Sequence, residues 1–219
     1  LLEHCFLRAK MYDRWDGLFI CTCDEEIRAW AEAKGYPVLM TADTHTRALD
    51  RVAEAAQLCG DVADDDIVVC VQGDEPLLGP DMIEAVVKPF EDDPAVEGTL
   101  LSVPIVDEET FRNPDMVKLV HDLKGDVLFT SRAPIPYAKK FGPDIGAKRV
   151  GGIFGFRWHF LKWFTEQPES PLEIAEACDS NRIYDNGRRQ RIAPAPARPY
   201  LSVDSQEDVA RVEAVIEKD

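Results

Sequence analysis

Residues 67–76 read Ile-Val-Val-Cys-Val-Gln-Gly-Asp-Glu-Pro, and no other stretch limits the fold as tightly. Its first half is a continuous apolar, β-branched run with no polar face, the pattern of a strand covered on both sides. Gly73, Asp74, Glu75 and Pro76 then stop the strand. In open α/β sheets the ligand crevice lies outside the carboxyl ends of the strands. The two acids therefore stand where a divalent cation or a phosphate could reach them. A strand end whose acids are simply solvated is the plainer reading, and this pattern alone does not separate the two.

Helices and strands alternate around this stretch. Leu2, Cys5, Phe6 and Ala9 mark one helix face, and 17–22 reads as a short strand. Asp24 is a plausible N-cap for a helix over 25–34 with Gly35 at its end. A strand at 38–40 and a helix over 47–58 lead into the strand at 67–71, and Pro80 opens the next helix. Such alternation predicts a largely parallel sheet with helices on both faces. From Gly98 onward, 99–105, 116–121 and 127–130 read as strands joined by short turns, so an antiparallel part is expected too. Residues 141–149 combine glycines, a proline and basic side chains and are expected to form a mobile loop. A strand over 152–156 and a helix over 158–164 follow. Ser170-Pro171-Leu172-Glu173 has the form of a capping box with proline at the first helical position. A short strand at 191–193 and a proline-rich stretch at 194–199 precede the last helix, which starts at Gln206 under a second capping box of Ser205 and Asp208. Asp204 thus falls where extended chain meets a helix. With no internal repeat, linker or low-complexity tract, the 219 residues are expected to form one domain.

Lysine and arginine number 25 against 41 aspartates and glutamates, a net charge of −16. Nucleic acid and anionic membrane surfaces need a basic footprint, so neither is expected as a partner. No apolar run approaches membrane-spanning length and no signal peptide is visible, which points to the cytoplasm. The cysteines at 5, 21, 23, 59, 70 and 178 form no Cys-x-x-Cys pair and read as free, mostly buried thiols. His45, His121 and His159 are scattered and read as structural. The chain opens Leu1-Leu2-Glu3-His4, with no methionine and no strand before its first helix. Further residues upstream are therefore expected.

Several segments, in order, resemble the CMP-Kdo synthetases, the 3-deoxy-manno-octulosonate cytidylyltransferases. They are Asp50-Arg51-Val52-Ala53-Glu54, the strand end 69–76, Ser131-Arg132-Ala133-Pro134-Ile135-Pro136-Tyr137, Gly152-Ile153-Phe154-Gly155-Phe156-Arg157, Ser170-Pro171-Leu172-Glu173 and Val203-Asp204-Ser205 with Glu207-Asp208. The resemblance implies a Rossmann-like, three-layer nucleotidyltransferase fold on a mixed, mostly parallel sheet. It implies transfer of CMP from CTP to an acidic sugar, release of pyrophosphate, and a homodimer. By position, Asp74 and Asp204 match the family's Mg²⁺ ligands, and hard carboxylate oxygens suit that ion. Arg51 and Arg132 are the cationic candidates for phosphate or carboxylate, with helix or surface salt bridges as the alternative for each. Gln72 matches a position near the sugar.

Two departures stand out. The family's N-terminal strand and its Gly- and Arg-containing phosphate loop have no counterpart in the 219 residues, so the backbone amides that cradle the triphosphate are expected upstream. At the sugar, Val150 stands for the family's histidine, Phe154 for its tyrosine, and Asp179-Ser180 for Glu-Gln, while Arg47-Ala48-Leu49 replaces Ser-Gly-Thr. Losing hydrogen-bonding groups leaves sugar hydroxyls unpaired, and Arg47 suits a more compact, more anionic acceptor. A phosphonate or other small acid, such as phosphonoformate, is thus the second reading. A non-catalytic nucleotide-binding or dimerisation module is the third.

Overall fold

A computed structural model of the chain describes residues 1–196, 200–203 and 205–217. Asp204, one of the two expected metal ligands, lies outside the described residues.

The order of elements follows the sequence reading closely in the first half: α1 (Leu2–Lys10), β1 (Ile20–Thr22), α2 (Glu25–Ala33), β2 (Val38–Met40), α3 (Ala48–Cys59), β3 (Ile67–Val71) and α4 (Pro80–Asp92). Then come β4 (Gly98–Pro104), α5 (Glu108–Arg112), β5 (Lys118–His121), β6 (Val127–Ser131), β7 (Lys148–Arg157), α6 (Trp158–Glu166), α7 (Pro171–Glu176), α8 (Ser180–Asp185), β8 (Arg191–Pro194) and α9 (Gln206–Ile216). Local chemistry sets many of these boundaries. The Asp24 carboxylate accepts from the N–H groups of Glu26 and Ile27, satisfying donors that the first turn of α2 leaves without partners. Both expected capping boxes form, at Ser170 with Glu173 and at Ser205 with Asp208.

Strand alternation divides the core into two layers on opposite faces of the sheet. Cys70, Leu100, Phe154 and Phe156 face α3, α6 and α8, where they meet Leu49, Ala53, Phe160, Phe164 and Ile183. Leu101, Val103 and Ile153 face α1 and α4, against Cys5, Ala9, Met82, Ile83 and Val86. The three-layer α/β architecture is as expected.

The sheet departs from the expected parallel majority. Among the described residues only β1–β2 and β4–β8 pair in parallel, while β3–β7, β4–β7, β5–β6 and β5–β7 are antiparallel. The reason is β7. β3, α4 and β4 make the anticipated crossover, yet the two strands do not pair with each other. The ten-residue β7 enters between them, taking β4 along one edge and β3 and then β5 along the other. A second difference concerns β3 itself. Ile67, Val68, Val69 and Val71 are only half-buried. Among the described residues β3 pairs only with β7, and β1 pairs only with β2. The two sheets lie together beneath α3 without a ladder between them.

Residues 141–149 are not a loose loop. They contain a single turn of 3-10 helix (Pro143–Ile145) and the start of β7. Phe141, Ile145 and Ala147 pack with Ile105 and Phe111, so buried apolar area overrides the local glycine and lysine content.

Candidate active site

The end of β3 turns where the sequence requires it. The Gln72 N–H donates to Gly152 O at 3.0 Å, and the Leu78 N–H closes a turn on Glu75 O at 3.2 Å. Of the two acids in that turn, Asp74 is half-buried and Glu75 is 2% exposed. Burial pushes the Glu75 carboxyl up to about 7, against the hydroxyls of Ser202 and Tyr200, which hold it down. The C-terminal segment reaches the same place: the Val203 N–H donates to Asp74 O at 2.9 Å. The residue that follows Val203 in the chain is the second expected metal ligand.

A second group of charges gathers at the start of α3. Arg47 is the N-cap, in extended conformation, and its side chain lies 3.9 Å from both Glu169 and Glu173. Glu173 is fully buried and takes a two-pronged grip from Arg182, Nε at 2.8 Å and Nη2 at 2.7 Å. Asp50 stands 3.5 Å from Arg182 Nη1. Burial and the charge of Glu173 push the Asp179 carboxyl up to about 6, opposed by Arg47 and Arg182. The Cys70 thiol on β3 is raised by burial, and the charges of Asp179 and Asp74 both add to that rise. The two groups of charges therefore flank one strand end.

The remaining candidates fall in different settings. The Arg51 guanidinium donates to Thr41 Oγ1 at 2.5 Å and to the carbonyls of Ala42 and His45, tying the 41–45 loop to α3. Arg132 donates to the carbonyls of Glu176, Pro114 and Ala177, and its backbone N–H meets the Glu176 carboxylate at 2.9 Å. Both arginines brace loops beside the site, and among the described residues neither forms an ion pair. Gln72 is half-buried at the strand end. Val150 and Phe154 pack into the α3-side core, with Phe154 directly opposite both Cys70 and Leu100 in register. A cleft of about 650 Å³ lies on the outer side of α3, lined by His45, Asp50, Glu54, Gln57, Gln167 and Glu169. It borders the Arg182 cluster and does not reach the end of β3.

Sequence reasoning did not single out Arg182, Tyr200 or Ser202. Each acts through partners distant along the chain and leaves no local signal.

A family described as cytidylyltransferase matches residues 1–192. The 3-deoxy-manno-octulosonate cytidylyltransferase of Syntrophotalea carbinolica is 37% identical over 222 residues, covering 98% of this chain and 87% of that protein. Its counterpart in Nitratidesulfovibrio vulgaris (strain DP4) is 37% identical over 211 residues, covering 94% and 81%. Among solved structures, CMP:2-keto-3-deoxy-manno-octonic acid synthetase complexed with CTP superposes with a TM-score of 0.87 at 27% identity, covering 99% of this chain and 87% of that one. A 4-diphosphocytidyl-2C-methyl-D-erythritol synthase, 15% identical with a TM-score of 0.61, shares the fold. The chain belongs to the cytidylyltransferase family, beside the 3-deoxy-manno-octulosonate cytidylyltransferases.

Proposed function

We propose that this chain transfers CMP from CTP to 3-deoxy-manno-octulosonate, with Mg²⁺ as cofactor and pyrophosphate as the second product. The observation that carries the reading is the Val203–Asp74 hydrogen bond, which draws the C-terminal segment onto the acidic end of β3. Identity to enzymes named for this reaction, over nearly the whole chain, supports the acceptor. A nucleotidyltransferase is the reading that takes the place of the non-catalytic module.

Among the described residues no group of three or more His, Cys, Asp or Glu side chains is placed to hold a metal ion. Mg²⁺ can be held by as few as one or two carboxylates. Asp74, with Asp204, would hold it. When bound, Mg²⁺ neutralises phosphate oxygens and acidifies the attacking hydroxyl. An acceptor hydroxyl oxygen then bonds to the α-phosphorus as the bond to the β-phosphate oxygen breaks, and the hydroxyl proton leaves to solvent. Arg47 would hold the acceptor's carboxylate at the entrance of α3, with Asp179 facing its hydroxyls. Gln72 would orient the sugar, while Arg51 and Arg132 would fix the loops around it. The enzyme would work as a cytoplasmic homodimer.

A phosphonate or other small acid is the second reading. Arg47 at the helix start and the packed hydrocarbon of Val150 and Phe154 favour it. Pyrophosphate release from CTP and Mg²⁺, followed with a panel of acids and the full-length protein, tests both. Turnover with 3-deoxy-manno-octulosonate supports the first reading, and turnover with a phosphonate alone replaces it with the second.

A further inference from the structure

Asp74 and Glu75 are neighbours in sequence, yet the structure gives them different surroundings. Glu75 is turned into the protein. Ser202 Oγ donates to Glu75 Oε1 at 2.9 Å. Tyr200, 5% exposed, accepts from the Gly152 N–H at 3.2 Å through its hydroxyl oxygen, and burial and the Glu75 charge beside it raise its pKa. Arg149 Nη2 donates to Tyr200 O at 2.7 Å, and its guanidinium stands 5.3 Å from the Tyr200 ring centre. A Cβ on Gly152 would lie 2.2 Å from Glu75 Oε1, so the carboxyl occupies the space that the glycine leaves.

Residues 200–203 belong to no helix or strand. The buried Glu75 Oε1 that holds the Ser202 hydroxyl favours one arrangement of such a segment, because removing that partner is costly. We propose that Glu75 is a positioning residue: its contacts with Ser202 and Tyr200 fasten the 200–203 segment, which leads in sequence to Asp204, to the end of β3. This rests on the reading of Asp74 and Asp204 as the metal-holding pair. Of two adjacent acids, one serves the ligand and the other serves the strap that delivers its partner.

The test is amide hydrogen exchange on the ligand-free protein, joined to the Mg²⁺ dependence of CTP turnover. Replacing Glu75 by Leu, or Ser202 by Ala, is expected to speed exchange at Val203 by about tenfold or more. The same variants should raise the Mg²⁺ concentration at half-maximal rate by a similar factor. Glu75→Gln keeps an oxygen for Ser202 and should recover much of the protection. Ser202→Ala removes one hydroxyl and keeps the test decisive if Glu75→Leu does not fold. Val203 exchange in Ser202→Ala equal to that of the parent protein overturns the strap. Faster exchange with no change in the Mg²⁺ requirement overturns the link from strap to metal. A normal Mg²⁺ requirement in Asp74→Asn instead removes the metal reading beneath the proposal, and the exchange result stands apart from it.

Discussion

Arg182 and Glu173 meet through two charged hydrogen bonds at 2.7 and 2.8 Å, their side chains 4% and 0% exposed. The same carboxylate closes the capping box of α7 by accepting from the Ser170 N–H. One buried acid thus starts a helix and neutralises an arginine that stacks 4.2 Å from the Phe164 ring centre. Removing one member strands the other in a medium that cannot solvate it. Glu173→Leu is expected to cost about 3–5 kcal/mol in chemical denaturation. Glu173→Gln, which keeps the cap, should cost less.

Asp74→Asn separates chemistry from folding. The side chain is half-buried, so the equilibrium stability should shift by less than about 1 kcal/mol. Turnover measured by pyrophosphate release should fall roughly a hundredfold or more, since a carboxylate that holds the metal cannot be replaced by an amide without loss of charge. Full activity in this variant would move the catalytic centre elsewhere.

Asp179 gives the protein a pH signature. Its carboxyl is raised from 3.8 to about 6, chiefly by burial, with Glu173 and Asp50 adding and Arg47 and Arg182 opposing. An acid that holds its proton more tightly when folded stabilises the fold fully below its unfolded pKa. That contribution is lost as pH rises through the folded value. The parent protein should therefore weaken between pH 4 and 7 relative to Asp179→Asn. The gap in unfolding free energy should reach about 2 kcal/mol at neutral pH, after allowance for partial exposure. Parallel stability profiles for the two proteins would contradict it.

Gly152→Ala is expected to destabilise by about 3 kcal/mol, because its Cβ would meet Glu75 Cγ at 2.6 Å as well as the carboxylate oxygen. The position has no need of an unusual backbone angle, so the cost is purely one of space. Denaturation of Gly152→Ala beside Gly142→Ala, where nothing lies within 4 Å, checks this.

Arg132→Lys probes whether a guanidinium is needed as a brace. Its donors reach three carbonyls on two segments, a span that one ammonium cannot reproduce. A loss of about 1–2 kcal/mol in stability is expected. Crystallography of the variant should find the corner at Glu176 and Ala177 displaced.

What could be read from the chain beforehand was whatever depends on near neighbours. Asp24, Ser170 and Ser205 announce their helices because a cap and its helix are three residues apart. The run at 67–71 announces a strand because five consecutive apolar, mostly β-branched side chains favour extended chain. The position of β7 between β3 and β4 could not be read, since pairing of Ile67 with Arg157 and of Val71 with Ile153 leaves no local trace. The short α5 and α8 escaped for a related reason: Phe111 is the one buried residue of α5, and the burial of Asn181 and Arg182 in α8 comes from distant partners. At the site, Asp74 was visible from its place at a strand end. Arg51 and Arg132 were visible as cations, but the carbonyls that hold them lie on segments that the order of residues does not connect.

The two sheets have a thermodynamic consequence. Among the described residues β1, α2 and β2 share no backbone ladder with the six-stranded sheet, and side chains of α1 and α3, such as Phe6 against Ile20, couple the two parts. Side-chain packing without a ladder transmits cooperativity weakly. The amides of Cys21 and Leu39 should therefore open at a lower free energy than those of Leu100 and Phe154, making residues 20–40 a separable unit of unfolding.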